Sequence, residues 1–266
     1  MNHPSIRAHG ISRRYGDTIA LRTTNLDIDT GLTVIMGKSG SGKSSLLAVL
    51  AGIEKPNTGN VTHYDGETEV FVSDFRKDKW HDFSERREKE KVLQARTAFV
   101  PQRPALNPSQ TIQDNIRLLV DKNDIQPDKS TQDAIFEGLG LEEFAAKFPR
   151  EVSGGQNQRA ALAVALLVMP EIVFLDEVTS GLDADNSERT YGLLRQLVDE
   201  QGMNVILASH DPRSAYYADQ LIRLDSGRLK QNIVVAASPL WVPDSSNFTL
   251  SPQVFDPVGS IDQVQN

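Results

Sequence analysis

The stretch Leu32-Thr33-Val34-Ile35-Met36-Gly37-Lys38-Ser39-Gly40-Ser41-Gly42-Lys43-Ser44 decides the fold. Its first part is a short apolar run that ends at Gly37, the pattern of a buried parallel strand. Ser44 to Ala51 follows with helix-compatible residues and stops at Gly52. The loop between them fits G-x-x-x-x-G-K-[ST] at Gly37, Gly42, Lys43 and Ser44. Glycines let the backbone curl so that successive N–H groups point at phosphate oxygens. A helix beginning near Lys43 adds its positive end. Lys43 is expected to reach the outer phosphates of a nucleotide, and the Ser44 hydroxyl to coordinate Mg²⁺. Lys38, Ser39, Gly40, Ser41 and Ser45 complete the residues expected around the phosphates. A plain flexible glycine turn is the alternative, and it needs neither the flanking strand nor the flanking helix.

Working outward, the metal needs a carboxylate at the end of a buried strand. Ile172-Val173-Phe174-Leu175-Asp176-Glu177 supplies one. Asp176 is the candidate for the Mg²⁺ shell, and Glu177 stands one residue further, where a side chain could orient water. Val205 to Ala208 reads as another buried strand, and Leu221 to Leu224 before Ser226-Gly227 as an edge hairpin. Ile6 to Ile11 and Thr18 to Ile28 alternate apolar and polar residues across a turn at Tyr15-Gly16-Asp17. Thr97 to Val100 is a further short strand. Helical patterns cover Thr111 to Val120, Thr131 to Phe148, Asn157 to Val168 and Ser187 to Glu200. Strands alternating with helices imply a mostly parallel sheet covered on both faces. Glu67 to Arg96 is dense in mixed charge, and Arg76 to Lys91 within it reads as a solvated helix. After about Pro239 the pattern fails, which predicts a loose or docked tail.

Composition narrows the class. The chain has 266 residues, enough for one large domain or one with an embedded subdomain. Its 28 Lys and Arg against 36 Asp and Glu give a net charge of −8, unlike the basic footprint of a nucleic-acid binder. No cysteine is present, so disulfides and thiolate metal sites are excluded. No apolar run reaches the roughly 18 residues of a spanning helix. The start of the chain also lacks the pattern of a secretory signal. A cytoplasmic protein is expected, and at a membrane another chain must do the spanning.

In this order, these residues resemble the nucleotide-binding subunits of ATP-binding-cassette (ABC) proteins. The discriminating segment is Val152-Ser153-Gly154-Gly155-Gln156-Asn157-Gln158-Arg159, similar to the family's L-S-G-G-Q signature with Val152 in place of Leu. A Ser-Gly-Gly turn capping a helix is the plainer reading of it. Val100-Pro101-Gln102 resembles the Q-loop, with Gln102 near the metal and the attacking water. Ser180-Gly181-Leu182-Asp183 resembles the D-loop, with Gly181 replacing Ala. Ala208-Ser209-His210-Asp211 resembles the switch histidine. Tyr15 lies where the family carries an aromatic that stacks on adenine, although it could equally pack a turn. Val178 stands where the family most often has Pro.

The resemblance covers about Ile6 to Leu229. It implies an α/β P-loop NTPase core with a mostly parallel sheet, an antiparallel β subdomain and an α-helical insertion subdomain. The expected boundaries are 5–230 for the ATPase domain, about 103–168 for the insertion within it, and 231–266 for an extension. It further implies ATP and Mg²⁺ as cofactors and a catalytic set of Glu177, His210, Lys43 and Gln102. Metal contacts fall to Ser44, Gln102 and Asp176. The resemblance also implies that two copies dimerise head to tail, so that Ser153, Gly154, Gly155 and Gln156 of one close on the ATP of the other. Separate membrane permease subunits are implied, with the chain peripheral on the cytoplasmic face of the cell membrane. A soluble ABC ATPase of repair or translation is the alternative, and a non-hydrolysing regulator a third reading that Glu177 and His210 argue against.

Overall fold

The structure is a computed structural model that describes residues 4–74, 91–104, 106–123 and 127–234. Two sheets organise it. Strands β1 (Pro4–Tyr15), β2 (Thr18–Ile28), β4 (Thr58–Asp65) and β5 (Thr68–Asp74) form an antiparallel sheet in the order β2-β1-β4-β5. The second sheet runs β10-β9-β3-β8-β7-β6. Its members are β3 (Leu32–Met36), β6 (Thr97–Val100), β7 (Ile172–Asp176), β8 (Asn204–Ser209), β9 (Gln220–Asp225) and β10 (Arg228–Val234). All its pairs are parallel except the β9–β10 hairpin.

Side chains alternate across the central sheet, as strand geometry requires. Val34, Val173, Leu175, Val205 and Leu207 pack into one core with the helices α2 (Ile112–Asn123), α3 (Lys129–Leu139), α4 (Gly154–Leu167) and α5 (Ala184–Gln201). Ile35, Ile172, Phe174, Ile206 and Ala208 pack into a second core with α1 (Lys43–Leu50) and with Ile6, Leu21, Ile28 and Val61 of the other sheet. Every residue of β7 and β8 is buried, which is why both read as unbroken apolar runs. Each fully buried aliphatic or aromatic side chain contributes about 1.5–3 kcal/mol.

Register then positions the site. Val100 pairs with Leu175, Asp176 with Ala208, and Met36 with Ser209. The carboxyl ends of β6, β3, β7 and β8 are therefore level. The segments that leave them, with Gln102, Gly37–Gly42, Glu177 and His210, emerge along one edge, where ligands of open α/β sheets bind.

Two expectations are corrected. The helix read over Thr131 to Phe148 stops at Leu139. Gly140 takes the left-handed conformation, φ 57°, and its N–H turns back to the Phe136 and Glu137 carbonyls. Leu141 and Phe144 beyond it are still buried, so the apolar spacing continues through a turn without helical geometry. The helix read from Asn157 begins at Gly154, because Ser153 and Gln156 close a capping box there. In addition, β10 runs to Val234, past the expected end of the domain at residue 230. Within the charged stretch Thr68–Asp74 forms β5 and Lys91 to Arg96 is helical, while residues 75–90 and the tail from residue 235 lie outside the described residues.

One buried base joins the two sheets. His63 of β4 is 2% exposed and packs edge-on against Phe71 and Phe174. Its Nε2 lies 2.8 Å from the Leu50 carbonyl, so Nε2 carries the proton and donates. Burial pushes its pKa down to about 4; the Leu50 bond opposes this and the Arg96 charge adds to it. A base whose folded pKa is depressed stabilises the fold above its unfolded pKa, near 6.5, and loses that contribution as pH falls towards 4. Between pH 7 and pH 4 the wild type should lose about 3 kcal/mol more than His63→Gln, which keeps a donor and does not titrate. Urea unfolding at several pH values measures this, and parallel curves for the two proteins would refute it.

Candidate functional site

The loop after β3 curls over the first turn of α1. Gly42 stands at the N-cap position of that helix with φ 102°. A Cβ there would fall 2.3 Å from the Ala20 carbonyl oxygen, so both conformation and space demand glycine. Without a side chain, Gly42 offers no cap to the helix, whose first N–H groups lack intrahelical acceptors. Ser41 Oγ is buried with no hydrogen-bond partner among the described residues. Backbone N–H groups, a helix's positive end and a spare hydroxyl make an anion cradle.

Lys43 is 4% exposed. Its Nζ donates to the carbonyls of Gly37 at 2.9 Å and Lys38 at 3.2 Å, and pairs with Glu177 Oε1 at 3.0 Å. Ser44 Oγ donates to Asp176 Oδ1 at 3.0 Å. Burial raises the Asp176 pKa; the Ser44 bond lowers it, Glu177 raises it and Lys43 lowers it. Two adjacent carboxylates with a hydroxyl and the Gln102 amide are hard oxygen donors, the set that suits Mg²⁺.

Glu177 is the hub. Its backbone takes φ 51°, unusual for a residue with a Cβ. Its N–H donates to the Ala208 carbonyl at 2.9 Å, extending the β7–β8 ladder by one bond. Its carboxylate meets Lys43 on Oε1; Oε2 accepts from Gln102 Nε2 at 2.9 Å and lies 3.6 Å from His210 Nδ1. Residues far apart in sequence thus meet on one carboxylate. A left-handed residue costs about 1–2 kcal/mol, and such strain clusters at functional sites.

The structure places the remaining expected residues elsewhere. Tyr15 is exposed at the end of β1. Its hydroxyl donates to Glu54 Oε2, and the Arg13 guanidinium lies 4.6 Å over its ring. Arg13 itself pairs with Glu54 at 3.0 Å. Ser153 Oγ accepts from Gln156 N–H, and Gln156 Oε1 accepts from Ser153 N–H. Gly155 packs against the Gly181–Leu182 turn, where a Cβ would sit 2.9 Å from the Gly181 oxygen. The contacts that gather Lys43, Gln102, Glu177 and His210 do not include residues 153–156. Sequence reading gave Gln158 no role beyond its place in the signature segment and did not single out Glu54. Gln158 is 7% exposed on α4 and donates to the Pro101 carbonyl at 3.3 Å, tying the helix to the Gln102 turn. A polar residue on the buried face of a helix was the available signal.

Comparison with known proteins agrees with the family resemblance. Residues 21–180, more than half the chain, match the ABC transporter family. The chain is 36% identical over 223 residues to the sulfate/thiosulfate import ATP-binding protein CysA of Mycolicibacterium paratuberculosis, covering 82% of this chain and 56% of that protein. It is 33% identical over 231 residues to the probable sulfate/thiosulfate import ATP-binding protein CysA of Chlorella vulgaris, covering 85% and 90%. It thus spans little more than half the length of the mycobacterial relatives it matches. Among solved structures, the dimeric structure of MJ0796, a bacterial ABC transporter cassette, superposes with a TM-score of 0.70 at 29% identity, covering 88% of this chain and all of that one. The post-hydrolysis state of the same cassette bound to ADP and Pi gives 0.69 at 28% identity, with coverage of 88% and 100%. With the family match over more than half its length and these superpositions, the chain belongs to the ABC transporter family and has the fold of its ATP-binding cassette.

Proposed function

We propose that this chain is the ATP-hydrolysing subunit of an ABC transporter and energises transport through separate membrane-spanning subunits. One observation carries the chemistry: the Glu177 carboxylate is held by Lys43 and Gln102 with His210 beside it. In-line attack of water on a γ-phosphoryl group depends mainly on positioning and charge neutralisation. Lys43 and the N–H groups of the Gly37–Ser45 segment hold the phosphates. Ser44, Asp176 and Gln102 hold Mg²⁺, which neutralises phosphate charge when bound. Glu177 orients and polarises the water, and His210 steadies Glu177. Tyr15, backed by Arg13, offers its other ring face to adenine.

Residues 153–156 serve a second copy in a head-to-tail dimer. Supporting this, they stand apart from the Lys43 cluster, and a Cβ on Gly154 would meet no described atom within 4 Å. The related MJ0796 cassette is also described as dimeric. The names of the curated relatives favour import as the direction. Among the described residues no helix is long and apolar enough to cross a membrane. In this reading the chain works on the cytoplasmic face, bound to permease subunits.

The test is affinity purification of the full chain from native membranes, followed by a phosphate-release assay. A co-purifying polytopic protein and Mg²⁺-dependent ATP hydrolysis that EDTA abolishes are expected. Hydrolysis without any polytopic partner would favour a soluble ABC ATPase instead.

A further inference from the structure

Helix α5 buries Ser187, Thr190, Tyr191, Leu194 and Leu197 along one face. Tyr191 is 0% exposed. A tyrosine buried that deeply must satisfy its hydroxyl, and an aliphatic residue would fill the core with no such demand. Its hydroxyl donates to Asp211 Oδ2 at 3.1 Å and lies 2.8 Å from Thr179 Oγ1, which then donates to it. Burial pushes the Tyr191 pKa up to about 12, so the phenol stays a donor at working pH.

The two partners belong to the two turns that meet at the site. Thr179 is two residues beyond Glu177, with only the buried Val178 between them. Asp211 directly follows His210. Each end is otherwise fixed. Backbone bonds from Ser180 to Glu177 and from Leu182 to Thr179 close the first turn. Arg213 holds the Asp211 carboxylate through Nε and Nη2 and reaches the Ala184 carbonyl at 3.2 Å. The Asp211 N–H donates to Ser209 Oγ at 3.0 Å. The Tyr191 hydroxyl is a buried side-chain link between these two units, in addition to the backbone bond from Glu177 N–H to the Ala208 carbonyl, and Glu177 and His210 face each other at 3.6 Å.

We propose that the Tyr191 hydroxyl is a positioning group that sets the spacing between the Glu177 turn and the His210 turn, and through it the approach of His210 to Glu177. The proposal rests on the reading in which Glu177 and His210 act in hydrolysis. Tyr191 touches neither nucleotide nor water. It acts through Thr179 and Asp211.

Tyr191→Phe keeps the ring and its packing against Tyr217 and removes only the hydroxyl. A misplacement on the ångström scale costs up to about a hundredfold in rate. The variant of the full chain should therefore hydrolyse Mg-ATP with kcat lowered about tenfold or more, while the Kd for a fluorescent ATP analogue stays within about twofold. The amides of Ser209, His210, Asp211 and Arg213 should exchange with deuterium faster. Thr179→Val, which cuts the other end, should repeat the kcat loss, and the double variant should be no slower than the slower single one. It also carries the test should Tyr191→Phe fail to fold. A wild-type kcat in the variants, or weakened ATP binding in place of slowed turnover, overturns the proposal. Glu177→Gln, run alongside, separates the two ideas. If it hydrolyses normally, the reading of Glu177 fails. The exchange rates of those four amides then judge the strut alone, and unchanged rates overturn it.

Discussion

Lys43→Ala lowers ATP turnover by on the order of 10³-fold and removes measurable nucleotide binding at ordinary concentrations. The ammonium is 4% exposed and sits between the Gly37 and Lys38 carbonyls and the Glu177 carboxylate. It is the cation of the cluster: Asp176 and Glu177 bring two negative charges, and a triphosphate adds more. Without Lys43, that charge is left to the backbone dipoles, the metal and Lys38 of the same loop. A buried carboxylate that loses its ion-pair partner is also costly, so Glu177, 14% exposed, is left to Gln102 and His210. Fluorescent-nucleotide titration and phosphate release measure the two effects. Near-normal turnover would remove the Gly37–Ser44 loop from its assigned role.

Glu177→Gln should act in the opposite order. Glutamine matches glutamate in size and in backbone preference, so the φ 51° turn and the Ala208 hydrogen bond persist. What is lost is the charge proposed to polarise water, and general-base losses run to about 10²–10⁴-fold in kcat. ATP affinity should stay within a few-fold of wild type, because the variant frees Lys43 from its ion pair and leaves it for phosphate. With binding intact and hydrolysis blocked, an ATP-bound dimer should accumulate and elute earlier in size-exclusion chromatography with Mg-ATP. Wild-type turnover by this variant would assign water activation to another group.

Much of the architecture was legible because its decisive pieces are short and buried. The strands β3, β7 and β8 show as apolar runs since both faces of the sheet are covered, and the candidate site residues stand at or just past their ends: Gly37, Asp176-Glu177, and Ser209-His210. Helix α3 was less legible. Its apolar spacing runs on through Leu141 and Phe144, and only the left-handed Gly140 shows that the backbone has turned. Burial preserves a pattern that the helix itself has left.

The loop from Gly37 to Ser44 could be proposed as a phosphate cradle from local chemistry alone, because glycine spacing, a lysine and a helix start are all contiguous in the chain. The partners of Glu177 were not. Its left-handed backbone, its ion pair with Lys43 across 134 positions and the bond from Gln102 depend on strand register, which is set by the buried faces of β6, β3, β7 and β8 together. The same holds for Tyr15 against Arg13 and Glu54, and for Tyr191 between Thr179 and Asp211. By itself the sequence determined which chemical groups this protein carries and which strand ends carry them. Only the tertiary structure decided which of them touch, because hydrogen bonds and ion pairs act over a few ångströms and chain order does not measure that distance.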